Sequence, residues 1–421
     1  MSHFVIEGGK QLSGEIPVFG SKNAALPLIA ASLLTAERVT ISNIPAIADI
    51  YKMSDILSSI GVEVEYDDQR LSVHAKQVSP EAISIADVGA LRGSILLLGA
   101  LLGRTRSVKL PLPGGDIIGA RPIDVHLDGF AQLGAAINEE DDIVTIDGAN
   151  LAAGRVVLRE FSVTATENMM LVCATLPGTS TIEIAAAEPH IVALAEMLNA
   201  MGAEVTGAGT HTITITGSKS LHGATVQNIQ DMLEAGLFIL LAAATHSTVT
   251  VKGVPVNDLL LFFKKLDDIG IAYDVQNETE GVANVHVTPS QMRSFKIQTL
   301  PYPGIATDLQ ATFSVIATQV QGSSLIHDPM YEGRFKHITE LSKMGADAVM
   351  CDPHRVIISG PTPLKGRRIP SLDIRAGATL LMAGLVAQGQ TVIDNAEIID
   401  RGYANLTERL QAIGADISRE E

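Results

Sequence analysis

The sequence predicts an α/β protein of two domains, each assembled from three copies of one helix–strand–helix–strand unit. Three observations carry this reading. The chain of 421 residues exceeds the size at which one hydrophobic core keeps growing. A short amphipathic helix ending in Leu, Ile or Met, then Gly, then an alternating strand recurs six times at intervals of about 70 residues, too regular for chance. Between those copies lies a second signature: an Ala/Leu-rich helix, a polar or Gly turn, and a β-branched strand.

Copies of the first signature end at Ile60-Gly61-Val62, Leu133-Gly134-Ala135, Met201-Gly202-Ala203, Ile269-Gly270-Ile271, Met344-Gly345-Ala346 and Ile413-Gly414-Ala415. Each glycine falls where a helix stops in a left-handed conformation. Copies of the second run over Ala24 to Ile44, Leu91 to Leu110, Ala165 to Ile184, Met232 to Val254, Leu309 to Ile326 and Ala376 to Ile393. Their helices are apolar nearly all round, which implies burial on every side. A ring of three such helices inside each domain, with sheets outside, satisfies that. The helix N-termini would then converge, and helix N-termini attract anions.

Composition narrows the function. Aliphatic side chains build the cores, because hydrophobic content is 46% while aromatics are 4% and Trp is absent. A formal charge of −17 argues against a nucleic-acid or anionic-membrane partner, so any basic site is local. Cys173 and Cys351 lie in apolar stretches and read as small core residues, not as a disulfide or metal set. No basic leader with a signal-length apolar run opens the sequence, and no apolar run reaches transmembrane length. A cytoplasmic protein is the expectation.

The densest chemistry lies between Leu112 and His126, in Leu-Pro-Gly-Gly-Asp-Ile-Ile-Gly-Ala-Arg-Pro-Ile-Asp-Val-His. Gly114-Gly115 and Gly119 permit a backbone that bends and approaches a ligand closely. Asp116 and Asp124 supply carboxylates, and Arg121 a planar fork of donors suited to phosphate or carboxylate. Residues 112–122 read either as a mobile loop that closes over an anion and carries an acid, or as a solvated Pro-Gly surface loop. Lys22, Arg92 and Arg375 each precede a buried helical run, and their recurrence at one place in the repeat suggests an anion site.

These motifs resemble those of the enolpyruvyl transferases, in particular the UDP-N-acetylglucosamine 1-carboxyvinyltransferase family. The resemblance runs from Phe4 to the C-terminus. It rests on Gly20-Ser21-Lys22-Asn23-Ala24, Leu112-Pro113-Gly114-Gly115, Ile118-Gly119-Ala120-Arg121-Pro122, Thr307-Asp308-Leu309-Gln310, Glu332-Gly333-Arg334-Phe335 and Ile399-Asp400-Arg401-Gly402-Tyr403. It implies two inside-out α/β barrel domains, each of three βαβαββ repeats with pseudo-threefold symmetry. One is expected to comprise residues 1–21 plus 230–421, the other residues 22–229 with the mobile loop.

The implied reaction moves the enolpyruvyl group of phosphoenolpyruvate to the 3′-hydroxyl of UDP-N-acetylglucosamine and releases phosphate. An enol ether carbon becomes electrophilic when its CH2 end is protonated, so an acid must stand there, and Asp116 fits. The resemblance assigns Asp308 as base, Lys22, Arg121 and Arg401 with Arg375 to the phosphate and carboxylate, and Asn23 to the tetrahedral intermediate. It implies that Arg92 and the run Arg121, Pro122, Ile123, Asp124 and Val125 hold the sugar nucleotide, with Asp308 and Met330 nearer the sugar. No metal or cofactor is implied, and a monomer is expected.

Several positions depart from the family pattern. Asp116 stands where Cys is commonest, although some members carry Asp. Leu237, Ile305, Ala306, Met330 and Ile398 also differ, leaving acceptor fit open. Two other readings remain: an enolpyruvyl transferase acting on shikimate 3-phosphate, and a non-catalytic paralogue that binds a UDP-sugar. The loop and the Asp400-Arg401-Gly402-Tyr403 ending favour the nucleotide sugar; joint retention of Lys22, Asp116, Arg121, Asp308 and Arg401 favours catalysis.

Overall fold

A computed structural model describes residues 2–114, 119 and 121–421. Asp116, the expected acid, lies outside the described residues. The chain divides into two compact units: one holds Met1–Phe19 and Gln230–Glu421, the other Gly20–Gly115 and Arg121–Ile229.

In the first unit three helices, Met232–Ala244, Gln310–Gln319 and Ile374–Val386, pack on one another and are buried along almost their whole length. An amphipathic helix would expose one face; these sequences have no polar face to expose. Two of them begin on an aspartate: Asp231 accepts from the backbone N–H of Leu233 and Glu234, and Asp373 from those of Arg375 and Ala376. Each cap satisfies donors that helix geometry leaves open, worth about 1 kcal/mol. In the second unit Lys22–Ala31, Leu96–Thr105 and Val163–Cys173 are the buried helices, and Leu96–Thr105 packs on both others. Gly99 makes the approach to Val163–Cys173 possible, because a Cβ there would stand 2.5 Å from the Asn168 side-chain oxygen.

The six glycines of the first signature all take positive φ, between 86° and 109°. Each ends an outer helix and turns the chain into strand. The strands paired with these are half-buried: Phe4 and Ile6 of His3–Glu7, which pairs with Asp416–Glu420, are buried, as are Leu71 and Val73 of Arg70–His74, which pairs with Glu63–Asp67.

The expectation of inside-out α/β barrels is not met. The described strands form six separate sheets, five of four strands and one of three, and none closes on itself. A barrel needs one hydrogen-bonded ladder carried round a full circle; here each ladder stops after three or four strands. The four-stranded sheets are mixed. Gly322–His327, for example, pairs antiparallel with Arg355–Gly360 and parallel with the short edge strand Lys296–Gln298. The sheet of Ser107–Pro111, Ile143–Asp147 and Ala136–Glu140 is wholly antiparallel and has no such parallel edge strand. Apolar periodicity reveals which face of a strand is buried, but not whether neighbouring sheets share a ladder.

Cys173 is buried as expected, whereas Cys351 is exposed on an outer strand, its apolar neighbours Val349 and Met350 being exposed too. Among the described residues no helix is long and apolar enough to cross a membrane.

Candidate active site

In the first unit a charged cluster forms around Asp308. This residue lies in the turn Thr307–Leu309 that opens the buried helix Gln310–Gln319, after the loop containing Pro303-Gly304. One carboxylate oxygen is ion-paired with Arg334 and the other with Arg375 Nε at 3.2 Å. Both arginine side chains are under a tenth exposed.

Arg375 also donates to the Tyr403 hydroxyl at 2.9 Å, with its guanidinium carbon 5.3 Å from the ring centre. Burial works against its charge, but Tyr403, Asp308 and Asp231 outweigh that and raise its pKa, so it stays cationic. Burial pushes the Tyr403 phenol up to about 12 and raises Asp231 as well, against the pull of Arg375. Arg401 is half-buried in the turn after the short helix Ala396–Ile399. Beside it Asp400 is raised by burial, although its 2.5 Å pair with Arg419 opposes the shift. Met330 is exposed; its backbone N–H donates to Asp328, which in turn takes a short hydrogen bond from Thr307.

Next to Arg334 the buried ring of His337 has Nδ1 3.1 Å from the Arg334 carbonyl and Nε2 3.0 Å from Ser314 Oγ. A carbonyl only accepts, so Nδ1 carries the proton and Nε2 accepts from Ser314. Burial lowers this imidazole to about 4, the Arg334 carbonyl opposing and the Arg334 charge assisting. In the unfolded chain it returns to about 6.5. Between pH 6.5 and 4 the unfolded state therefore binds the extra proton, and the native state loses stability as pH falls. Urea unfolding across that window should show a slope about 1.4 kcal/mol per pH unit steeper than in His337→Gln. Equal slopes would mean that His337 is not held neutral.

In the second unit Lys22 is the first residue of the helix Lys22–Ala31, whose N-cap Ser21 accepts from Ala24 N–H. Its ammonium pairs with Asp49 at 2.5 Å, and the two side chains are 12% and 2% exposed. Asp49 lies in the first turn of Ala48–Ser59, so the pair fixes the lysine head at the mouth of one buried helix. Asn23, the next residue, is half-buried.

Arg92 opens the turn Arg92–Ile95 and donates to the Arg121 carbonyl at 2.7 Å and to that of Pro113 at 3.4 Å. One guanidinium thus bridges Pro113 and Arg121, which flank Asp116 in the sequence. Arg121 is half-buried, Pro122 and Asp124 are exposed, and Ile123 and Val125 anchor the run in the core. Asp124 lies 3.8 Å from Arg159, which also binds Asp128 at 2.7 Å.

The structure thus groups Asp308 with Arg375, and Arg92 with the run from Arg121. Arg334 and Tyr403 lie in motifs quoted above, but nothing in the sequence assigns them a part. Asp49 carries no sequence signal, its partner Lys22 being distant in the chain, and Asp231 is legible as a helix cap but not as a charge acting on Arg375. Among the described residues no group of His, Cys, Asp or Glu is placed to hold a metal ion.

Two α/β units with arginine side chains gathered near the starts of buried helices suit the binding of small anions. The model of the EPSP synthase (3-phosphoshikimate 1-carboxyvinyltransferase) family matches residues 6–410. The chain is 40% identical over 415 residues to UDP-N-acetylglucosamine 1-carboxyvinyltransferase 2 of Listeria monocytogenes, covering 99% of this chain and 97% of that protein. It is 38% identical over 420 residues to the UDP-N-acetylglucosamine 1-carboxyvinyltransferase of Magnetococcus marinus, covering 100% and 99%. Among solved structures, the enolpyruvyl transferase NikO from Streptomyces tendae superposes with a TM-score of 0.88 at 25% identity over 99% of this chain and 98% of that one. EPSP synthase from Acinetobacter baumannii shares the fold, with a TM-score of 0.75 at 21% identity over the whole of both chains. The chain belongs to the carboxyvinyltransferases, or enolpyruvyl transferases, and among them to the UDP-N-acetylglucosamine 1-carboxyvinyltransferase family.

Proposed function

We propose that the protein transfers the enolpyruvyl group of phosphoenolpyruvate to the 3′-hydroxyl of UDP-N-acetylglucosamine, releasing phosphate, the first committed step of peptidoglycan synthesis. The observation that carries this is identity near 40% to enzymes named for that acceptor, extending over essentially the full length of both chains. In this reading Asp116 protonates the CH2 end of phosphoenolpyruvate, which makes C2 electrophilic. The sugar hydroxyl attacks C2 while Asp308 takes its proton. Breaking the bond to phosphate and losing a methyl proton then restores the enol ether.

Lys22, Arg121, Arg375 and Arg401 balance the charge of phosphate and carboxylate, and Asn23 binds the tetrahedral intermediate. Arg92 and the run Arg121 to Val125 hold the sugar nucleotide, and Met330 lies near the sugar. No cofactor enters. We read the enzyme as a cytoplasmic monomer, in keeping with a net charge of −17 that disfavours self-association.

The test is phosphate release from phosphoenolpyruvate with UDP-N-acetylglucosamine or shikimate 3-phosphate as acceptor. Release with the sugar nucleotide alone is expected. Release with shikimate 3-phosphate alone, or binding of the sugar nucleotide without release, would overturn the reading. In the same assay Lys22→Ala should turn over on the order of 100-fold more slowly. A charge at about 5 Å in an effective dielectric near 20 is worth roughly 3 kcal/mol before screening. Lys22→Arg should recover only part, since a guanidinium is a broad plane and an ammonium a point.

A further inference from the structure

Behind the run Arg121 to Val125 lies a buried polar chain that the proposed reaction does not use. Gly99 N–H donates to the side-chain oxygen of Asn168 at 2.7 Å. That bond fixes which end of the amide is oxygen. The amide nitrogen therefore faces the Ile95 carbonyl at 3.1 Å and His126 Nδ1 at 2.9 Å. An amide nitrogen only donates, so His126 Nδ1 must accept, and the ring proton must sit on Nε2. His126 Nε2 lies 3.2 Å from Thr164 Oγ1, and the ring therefore donates to that hydroxyl. Burial, with the charge of Arg92 adding to it, lowers His126 to about 3, so the ring stays neutral at working pH.

Direction is what the chain transmits. A hydroxyl that accepts from the ring keeps its own hydrogen to give elsewhere. Thr164 is partly exposed, and among the described residues its side chain hydrogen-bonds only to His126. His126 directly follows the exposed Asp124 and the buried Val125, on the first turn of Asp124–Gln132. Were the ring proton on Nδ1, Nε2 would take the Thr164 hydrogen and no donor would face outward.

We propose that His126 is a positioning residue that fixes the Thr164 hydroxyl as a hydrogen-bond donor to an oxygen of the bound sugar nucleotide. The proposal rests on the reading of Arg121 to Val125 as the sugar-nucleotide site. Thr164 is the residue that touches ligand; His126 and Asn168 act through it, and Gly99 sets the polarity of the whole chain.

The test has two arms. Nitrogen-15 NMR of the imidazole should show the proton of His126 on Nε2 in the free enzyme. Calorimetry with UDP-N-acetylglucosamine should show Thr164→Val binding about tenfold more weakly, about 1.4 kcal/mol, the size of one hydrogen bond. Thr164→Ser, which keeps the hydroxyl, should restore wild-type affinity. His126→Phe should weaken binding as Thr164→Val does, and the double variant should be no weaker than either. A purely structural role for His126 would instead make the two losses add. A ring proton on Nδ1, or unchanged affinity in Thr164→Val, overturns the relay even if His126→Phe fails to fold. Failure of the wild type to bind UDP-N-acetylglucosamine while the tautomer is as expected overturns the functional reading, and the role of Thr164 with it.

Discussion

Replacing Asp308 by Asn should lower kcat by roughly a hundred- to ten-thousand-fold, the range expected when a positioned general base is removed. The substitution keeps the shape and deletes the charge. It also turns an amide nitrogen toward one of two arginines that now lack their common counter-ion. Arg334 and Arg375 are each less than a tenth exposed and both are ion-paired to Asp308. Breaking such a buried arrangement from one side costs roughly 3–5 kcal/mol. Two readouts are needed, phosphate release for kcat and urea unfolding for stability. A folded variant with kcat within about tenfold of wild type would remove Asp308 as the base and leave it as the tether of two arginines.

The second large effect is expected at Asp116. An unperturbed carboxyl with a pKa near about 3.9 is ionised at neutral pH, whereas a free thiol near about 8.5 is mostly protonated. To act as an acid at neutral pH, a carboxyl must be raised by about 3 units, or roughly 4 kcal/mol in favour of its neutral form. The negative charges of phosphoenolpyruvate push in that direction, and the lysine and arginines of the proposed cradle oppose it. An acid works only while protonated, so kcat should fall with rising pH earlier in the wild type than in Asp116→Cys, with both active. The same residue sets the response to the epoxide fosfomycin, which inactivates this family by alkylating the thiolate of the usual Cys. A carboxylate is a far poorer nucleophile, so the wild type should resist and Asp116→Cys should become sensitive. Time-dependent inactivation of the wild type, with a mass adduct on the peptide containing Asp116, would overturn this account.

Much of the fold is legible in the sequence where one physical rule acts alone. Runs such as Leu237 to Ala244 have no polar face, and they are buried all round. Gly61, Gly134 and Gly270 follow the last turn of a helix, and each has positive φ there. The barrel is the expectation that fails. Alternation in a strand such as Thr179 to Ile182 reports an inward and an outward face, but the hydrogen-bonded edge that decides closure leaves no periodic trace. The candidate site is legible to the same degree. Lys22, Arg92 and Arg375 stand out because charge interrupts apolar sequence just before a buried helix. Asp49 and Asn168 do not, since an aspartate in a first helical turn or an asparagine in a helix is ordinary until its partner is seen.

The strand His3–Glu7 pairs on one side with Gln390–Asp394 and on the other with Asp416–Glu420. During synthesis it waits for partners until Gln390 and the residues after it have been made. At about 5–20 residues per second, the wait for a chain of this length is roughly 20 to 80 seconds. The second unit spans one continuous stretch apart from the loop, and all its sheet partners fall within residues 20–229. It can therefore complete its pairing while the rest of the chain is still being synthesised. A nascent chain stalled before Gln390 would carry a finished second unit beside an N-terminal strand with both edges open.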